Sequence, residues 1–278
     1  MKKDGYSENT IGPIGRRLRS LAQRVDLEQP EQVKELVARA DWSNGYKQNI
    51  VNAYNHYAKV HGISWKVPQY QRARSIKKVP LESDIDLVIS HTLTKNRTAF
   101  KLIKECGLRP IEVSRLTLSH FDLNRRTVYP ETAKGGAARV LELKNDTLAL
   151  IKDLVSGKNL DDQIFPSSKT LQKNWNRMRN KLAERYSRPE LKQIRLYDLR
   201  HFYATMLYHR TKDILHVMQK LGHRNIKNTL IYTHLVNFQD DEWICKAAAT
   251  VEEAQGLIEA GFRFEVEMDG LKLFRKRK

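Results

Sequence analysis

The stretch ISWKVPQYQRARSIKKVPLES, residues 63–83, interrupts a chain whose apolar residues otherwise recur at helical intervals. It carries Pro68 and Pro80, the cations Lys66, Arg72, Arg74, Lys77 and Lys78, and no clear apolar period, which marks a break between elements rather than an element. A length of 278 residues allows one large domain or two smaller ones, and this break favours two. We read a helical domain over 1–64, a basic and solvent-exposed linker over 65–80, and a larger domain over 81–278. A linker of this charge either lies along a phosphate backbone or is a solvated connector, and the sequence leaves both open.

Before the break, QPEQVKELVARA spaces Val33, Leu36, Val37 and Ala40 helically, with Pro30 suited to a first turn. SNGYKQNIVNAYNHYAKVHG sets Tyr46, Ile50, Ala53, Tyr54 and Tyr57 on one stripe closed by Gly62, so residues 8–62 predict a small helical bundle. Beyond the break, helices are predicted in ESDIDLVISHTL, TAFKLIKECGL, TLALIKDLVSG, KTLQKNWNRMRNKLAERY, YDLRHFYATMLYHR and KDILHVMQKLGH. A further one, TVEEAQGLIEAG, has a capping box of Thr250 and Glu253 and a stop at Gly261.

Strand character is confined to two places. RTVYPETAKGGAARVLELK predicts a hairpin turning at Gly135–Gly136 with Lys134 at its tip. FRFEVEMDGLKLFRKRK alternates Phe262, Phe264, Val266 and Met268 before a turn at Asp269–Gly270. The fold class is therefore mainly α, with an α+β second domain that holds a small β-hairpin sheet.

Lys and Arg number 50 against 32 Asp and Glu, a formal charge of 50 − 32 = +18, which suits a polyanionic partner, nucleic acid first. A membrane-surface protein would share the charge, but no amphipathic anchor, lipidation motif or long apolar span is visible. The first twenty residues lack the apolar run of a signal peptide, and the chain reads as soluble and intracellular. Cys106 and Cys245 are too few for a disulfide framework or a four-thiolate metal site, and Cys106 reads as a packed, inert thiol.

AKGGAA lacks the spacing of a phosphate-binding loop, and no H-E-x-x-H or zinc-spaced Cys/His cluster occurs. His209 and His216 can share a helical face, but a core or surface role outweighs metal binding. Phosphate chemistry in such a chain has to run on side chains. Breaking a phosphodiester without metal needs cations for the phosphorus oxygens, a nucleophile, and an acid for the leaving oxygen. Arginine's planar fork meets two phosphate oxygens and stays charged. A tyrosine can attack if neighbouring cations favour its ionised form, since a free phenol with pKa about 10 is mostly neutral. Arg109 in CGLRPIEVSRL, Arg200 in LYDLRHFYATML, and the pair His223 and Tyr232 in LGHRNIKNTLIYTHL supply these parts, with Lys134 as a fourth. Singly, each has an ordinary reading: Arg109 as a surface partner of Glu112, Lys134 as a turn lysine, His223 as a helix cap, Tyr232 as a core ring.

Together and in this order, GLRPIEVSRLTLSHFDL, LYDLRHFYATMLY and LGHRNIKNTLIYTHL resemble the first-arginine box, the H-x-x-R box and the nucleophile box of the tyrosine recombinase (phage integrase) family. The resemblance covers about 80–240, and the helical domain before it is similar in size and placement to the family's core-binding domain. It implies that Arg109 and Arg200 clamp the scissile phosphate with a hydrogen bond from His223, that Lys134 protonates the 5′-oxygen, and that Tyr232 attacks to leave a 3′-phosphotyrosyl link. Glu112 or Asp198 would orient the arginines, and His201 recurs in the family box. Tyr197 stands where the family usually has histidine: a phenol can hydrogen-bond a phosphate there, but it is a poor acceptor for the proton of Tyr232.

The resemblance further implies no cofactor and no metal, double-stranded DNA as partner, a dimer on each site, a tetramer in the synaptic complex, and a cytoplasmic, nucleoid-associated location. The tail beyond Tyr232 could dock in cis, in trans or on DNA. An inactive DNA-binding accessory protein and a type IB topoisomerase are the competing readings.

Overall fold

The computed structural model describes residues 1–71, 78–235, 243–268 and 270–277, without the side chains of Lys134, His234, Leu235, Trp243, Ile244, Cys245, Met268 and Arg277. The chain divides into two compact units, Met1–Ile76 and Lys77–Lys278.

The first unit is three helices, α1 (Glu8–Ala22), α2 (Pro30–Arg39) and α3 (Asn44–Val60). The expected stripes meet in one core of Leu21, Val33, Val37, Ile50, Val51 and Tyr54. Tyr54 fits there because its hydroxyl donates to the Leu27 carbonyl at 2.8 Å, which satisfies the one polar atom of a buried ring. The first part of the expected linker touches this core. Trp65 and Tyr70 pack against this core, Trp65 Nε1 donates to Asn55 Oδ1 at 3.2 Å, and Asn44 Nδ2 donates to the Gln71 carbonyl at 3.0 Å. Residues 65–71 thus run back along α3, because two aromatic rings gain more from the core than from water; residues 72–77 of the expected linker lie outside the described residues.

The second unit starts with α4 (Glu82–Ser90), α5 (Thr94–Cys106) and the single turn α6 (Pro110–Val113). A three-stranded antiparallel sheet follows, β1 (Phe121–Asp122), β2 (Thr127–Val128) and β3 (Leu141–Glu142), in the order β1-β2-β3. The expected hairpin is its β2–β3 half, with Val128 opposite Leu141. Its connection is not a tight turn at Gly135–Gly136 but a long loop holding a 3-10 turn, Ala133–Gly135, in which Lys134 sits.

Four helices complete the core: α7 (Asn145–Val155), α8 (Ser168–Arg185), α9 (Asp198–Thr211) and α10 (Ile214–Leu221). Trp175 of α8 and Phe100 of α5 meet edge to face, 5.1 Å apart, and Trp175 Nε1 donates to the Ile194 carbonyl at 2.9 Å. Cys106 is buried, and burial pushes its thiol up to about 12, as suits an inert packed sulfur.

The tail holds β4 (Trp243–Ala248), α11 (Val251–Glu259), β5 (Arg263–Met268) and β6 (Leu271–Arg277), with sheet order β4-β6-β5. The Thr250–Glu253 capping box forms, Glu253 N–H donating to Thr250 Oγ1 at 3.2 Å. The β5–β6 hairpin forms as well, though Asp269 of its turn lies outside the described residues. A bulge at Glu265 breaks the simple alternation: Phe264 pairs with Phe274 but Val266 with Leu273, so these two β5 residues point to opposite faces. The fold is mainly α with two small antiparallel sheets.

Candidate active site

Glu112 organises the site. Arg109 precedes Pro110 and is therefore held extended, where it serves as the N-cap of α6. Its backbone N–H donates to Glu112 Oε2 at 2.8 Å and its Nη1 to Oε1 at 2.7 Å. Arg139, from the loop before β3, donates from Nη2 to Oε2 at 2.5 Å, and Ala133 N–H donates to Oε1 at 3.3 Å. Arg200 Nη1 lies 3.9 Å from the same carboxylate. Burial alone would raise the Glu112 pKa, but the hydrogen bond and charge of Arg139, with those of Arg109, hold it below the ordinary carboxylate value. One buried anion thus ties the first arginine to the loop that carries Lys134.

Arg200, in the first turn of α9, is fully buried. Its guanidinium donates to the Gly107 carbonyl, to the Leu221 carbonyl at 2.8 Å and to His223 Nε2 at 3.1 Å, while its Nε has no hydrogen-bond partner. Burial, together with the charge of Arg109, pulls its pKa down to about 10, which still leaves it cationic at neutral pH.

Gly222 ends α10 in the left-handed conformation at φ 64°, turning the chain so that His223 faces Arg200. A side chain at 222 would meet the Ala137 carbonyl at 2.8 Å, and the Gly222 carbonyl accepts the Ala137 N–H at 3.2 Å. The Lys134 loop is therefore clasped to the turn that bears His223. His223 Nδ1 lies 2.9 Å from Thr229 Oγ1. Burial, then the charges of Arg200 and Arg109, holds its imidazole down at about 4, so it is neutral.

Tyr232 sits in the 3-10 helix Leu230–Leu235, its ring packed with Ala204, Leu207, Val217 and Leu221. Its hydroxyl lies 3.0 Å from His201 Nδ1. Burial raises the phenol's pKa, and this outweighs the opposing charges of Arg200 and Arg109. The expected ionising effect of the arginines is real in direction, yet the phenol stays neutral because its desolvation costs more.

Arg109, Tyr197, His201, His223 and Tyr232 line one open cleft of about 540 Å³, with Arg200 buried and bonded to His223. Tyr197, 39% exposed, sets its ring edge to face with that of His201, centroids 5.1 Å apart. The Asp198 carboxylate accepts the Arg195 N–H at 2.8 Å, a local tie at the start of α9. The Lys134 side chain lies outside the described residues. Arg139 and Thr229 were not singled out in the sequence; the only sign of Thr229 was its place between His223 and Tyr232. Among the described residues no group of three or more His, Cys, Asp or Glu is placed to hold a metal ion, and no helix is long and apolar enough to cross a membrane.

The chain is 28% identical over 144 residues to the tyrosine recombinase XerA of Saccharolobus solfataricus, a match that covers 51% of this chain and about half, 47%, of that protein. Against the tyrosine recombinase XerD of Vibrio vulnificus it is 24% identical over 267 residues, covering 83% and 86% of the two chains. The solved Tn1549 transposon integrase in complex with circular intermediate DNA shares the fold, with a TM-score of 0.64 at 17% identity over 93% of this chain and 96% of that one. The model of the phage integrase family matches residues 82–238, more than half the chain and every residue of the cleft, and the chain belongs to that family.

Proposed function

We propose that this protein is a site-specific DNA recombinase that cuts and rejoins strands through a 3′-phosphotyrosyl link on Tyr232. The observation that carries the reading is the cleft in which Tyr232, Arg109 and His223 converge beside the buried Arg200. A phosphodiester seated there meets the fork of Arg109 and, as His223 yields, that of Arg200, and the two cations balance charge growing on its oxygens. A phosphate's negative charge raises the low pKa of His223, which then donates a hydrogen bond. Tyr232 attacks phosphorus, and Lys134, whose loop is clasped to the turn at Gly222, protonates the leaving 5′-oxygen. The ester conserves the bond energy for rejoining, so the step calls on neither a nucleotide nor a metal.

The helical unit would serve as the core-binding domain, with double-stranded DNA as partner, a dimer on each site, a tetramer at synapsis, and a cytoplasmic, nucleoid-associated location. Incubation with fragmented genomic DNA followed by SDS should trap a covalent adduct, and sequencing its DNA gives the target site. Tyr232→Phe should bind the same DNA and form no adduct. An adduct formed by the Phe variant would overturn the assignment of the nucleophile. Tight binding without adduct by the unmodified protein would point instead to a DNA-binding accessory protein on the same scaffold.

A further inference from the structure

A neutral, buried phenol must lose its proton as it attacks, and the proton has to pass to an atom already touching the oxygen. His201 Nδ1, 3.0 Å from Tyr232 Oη, is such an atom. His223 is committed elsewhere, with Nε2 at Arg200 and Nδ1 at Thr229. Tyr197 is one helical turn before His201 on α9 and backs the imidazole edge to face. The two histidines of the cleft thus divide the site, one against the phosphate-binding arginine and the other against the nucleophile.

We infer that His201 is the proton acceptor for Tyr232 in strand cleavage and its donor in rejoining, a catalytic role that rests on the recombinase reading above. In cleavage the phenol proton moves to His201 Nδ1 as the Oη–P bond forms and the P–O5′ bond breaks, and the 5′-oxygen takes its proton from the separate acid. In rejoining the 5′-hydroxyl attacks as it gives its proton back to the separate acid, the Tyr232 oxygen leaves, and His201 returns the proton to it. The step requires neutral imidazole with its hydrogen on Nε2. Charged and titratable groups near it are Tyr197 at the N-cap of its helix, Arg200 on that helix with Glu112 behind it, Tyr232 on the closing 3-10 turn, and Arg109 and His223 in the same cleft.

The test uses the full chain and a duplex carrying the recovered site, with the 5′-bridging oxygen at the scissile phosphate replaced by sulfur, whose thiolate leaves without an acid. His201→Gln keeps the size and polarity of the side chain but takes no proton; His201→Ala opens room for added imidazole. Adduct formation should fall on the order of 100-fold or more in both variants, the scale of a lost general base, and equally on oxygen and sulfur DNA. DNA binding should be retained, and imidazole should restore part of the His201→Ala rate. A His201→Gln rate equal to or above that of the unmodified protein, or a loss that sulfur DNA repairs, overturns the inference while the recombinase reading stands. If the unmodified protein forms no adduct even on sulfur DNA, the recombinase reading fails and takes this role with it.

Discussion

The carboxylate of Glu112 and the guanidinium of Arg139 meet at 2.5 Å with neither open to solvent. Twenty-seven residues apart in sequence, they join the first-arginine turn to the loop of Lys134. Removing the charge strands at least one buried cation, so Glu112→Gln should destabilise the second unit by about 3–5 kcal/mol, the usual cost of breaking a buried pair. Urea unfolding measures it. The folded-state pKa of Glu112 lies below its unfolded value of 4.5, so its stabilisation is complete above that value and is lost as pH falls through the folded pKa.

His223 acts in a different window. Its folded pKa is about 4 against 6.5 unfolded, so between these values the unfolded chain binds a proton that the folded chain refuses. Stability should therefore decline as pH falls from 6.5 to about 4 and take no further loss from this group below that. His223→Asn should flatten that interval, seen by comparing urea midpoints at about pH 7 and about pH 5. NMR titration of the His223 ring should show a midpoint at about pH 4 rather than 6.5.

Thr229→Val replaces the hydroxyl beside His223 Nδ1 with a methyl of the same shape. A buried polar atom loses its partner, at a cost of about 1–3 kcal/mol. The ring should then spread over both tautomers, which nitrogen shifts of the imidazole report.

Gly222→Ala should combine a left-handed backbone penalty of about 1–2 kcal/mol with a close contact to the Ala137 carbonyl. The contact pushes the clasped loop away, so proteolysis between β2 and β3 should accelerate. Adduct formation should fall more than stability does, because the loop that moves carries Lys134.

The helices were legible where an apolar stripe meets a local end signal, as in α3, whose N-cap Ser43 accepts the Tyr46 N–H at 3.3 Å. The cleft was legible because its residues stand in short boxes whose helices deliver them to one place. Arg139 was not, since an arginine in a strand-like run carries no sign of a carboxylate that folding alone brings to it. Strand β4 escaped for a related reason: WICKAAA has no polar alternation, and its partner β6 comes only after a helix and another strand. Of the two carboxylates expected near the arginines, Glu112 meets Arg109 directly, while Asp198 accepts the Arg195 N–H of the preceding turn. The role of His201 was hidden by its rank as a neighbour of the arginine; only the fold brings Tyr232 to it.

The ring of Tyr232 is a core residue in its own right, held by Ala204, Leu207, Val217 and Leu221. Shape and reactivity therefore reside in different atoms of one side chain. On the proposed reaction, a descendant released from strand cleavage would discard the oxygen and keep the ring, because phenylalanine preserves the ring's packing while a smaller residue leaves a void costing about 3–5 kcal/mol. Loss of activity in this lineage should accordingly surface as a one-atom change at position 232, in proteins whose folds superpose on this one without a visible difference.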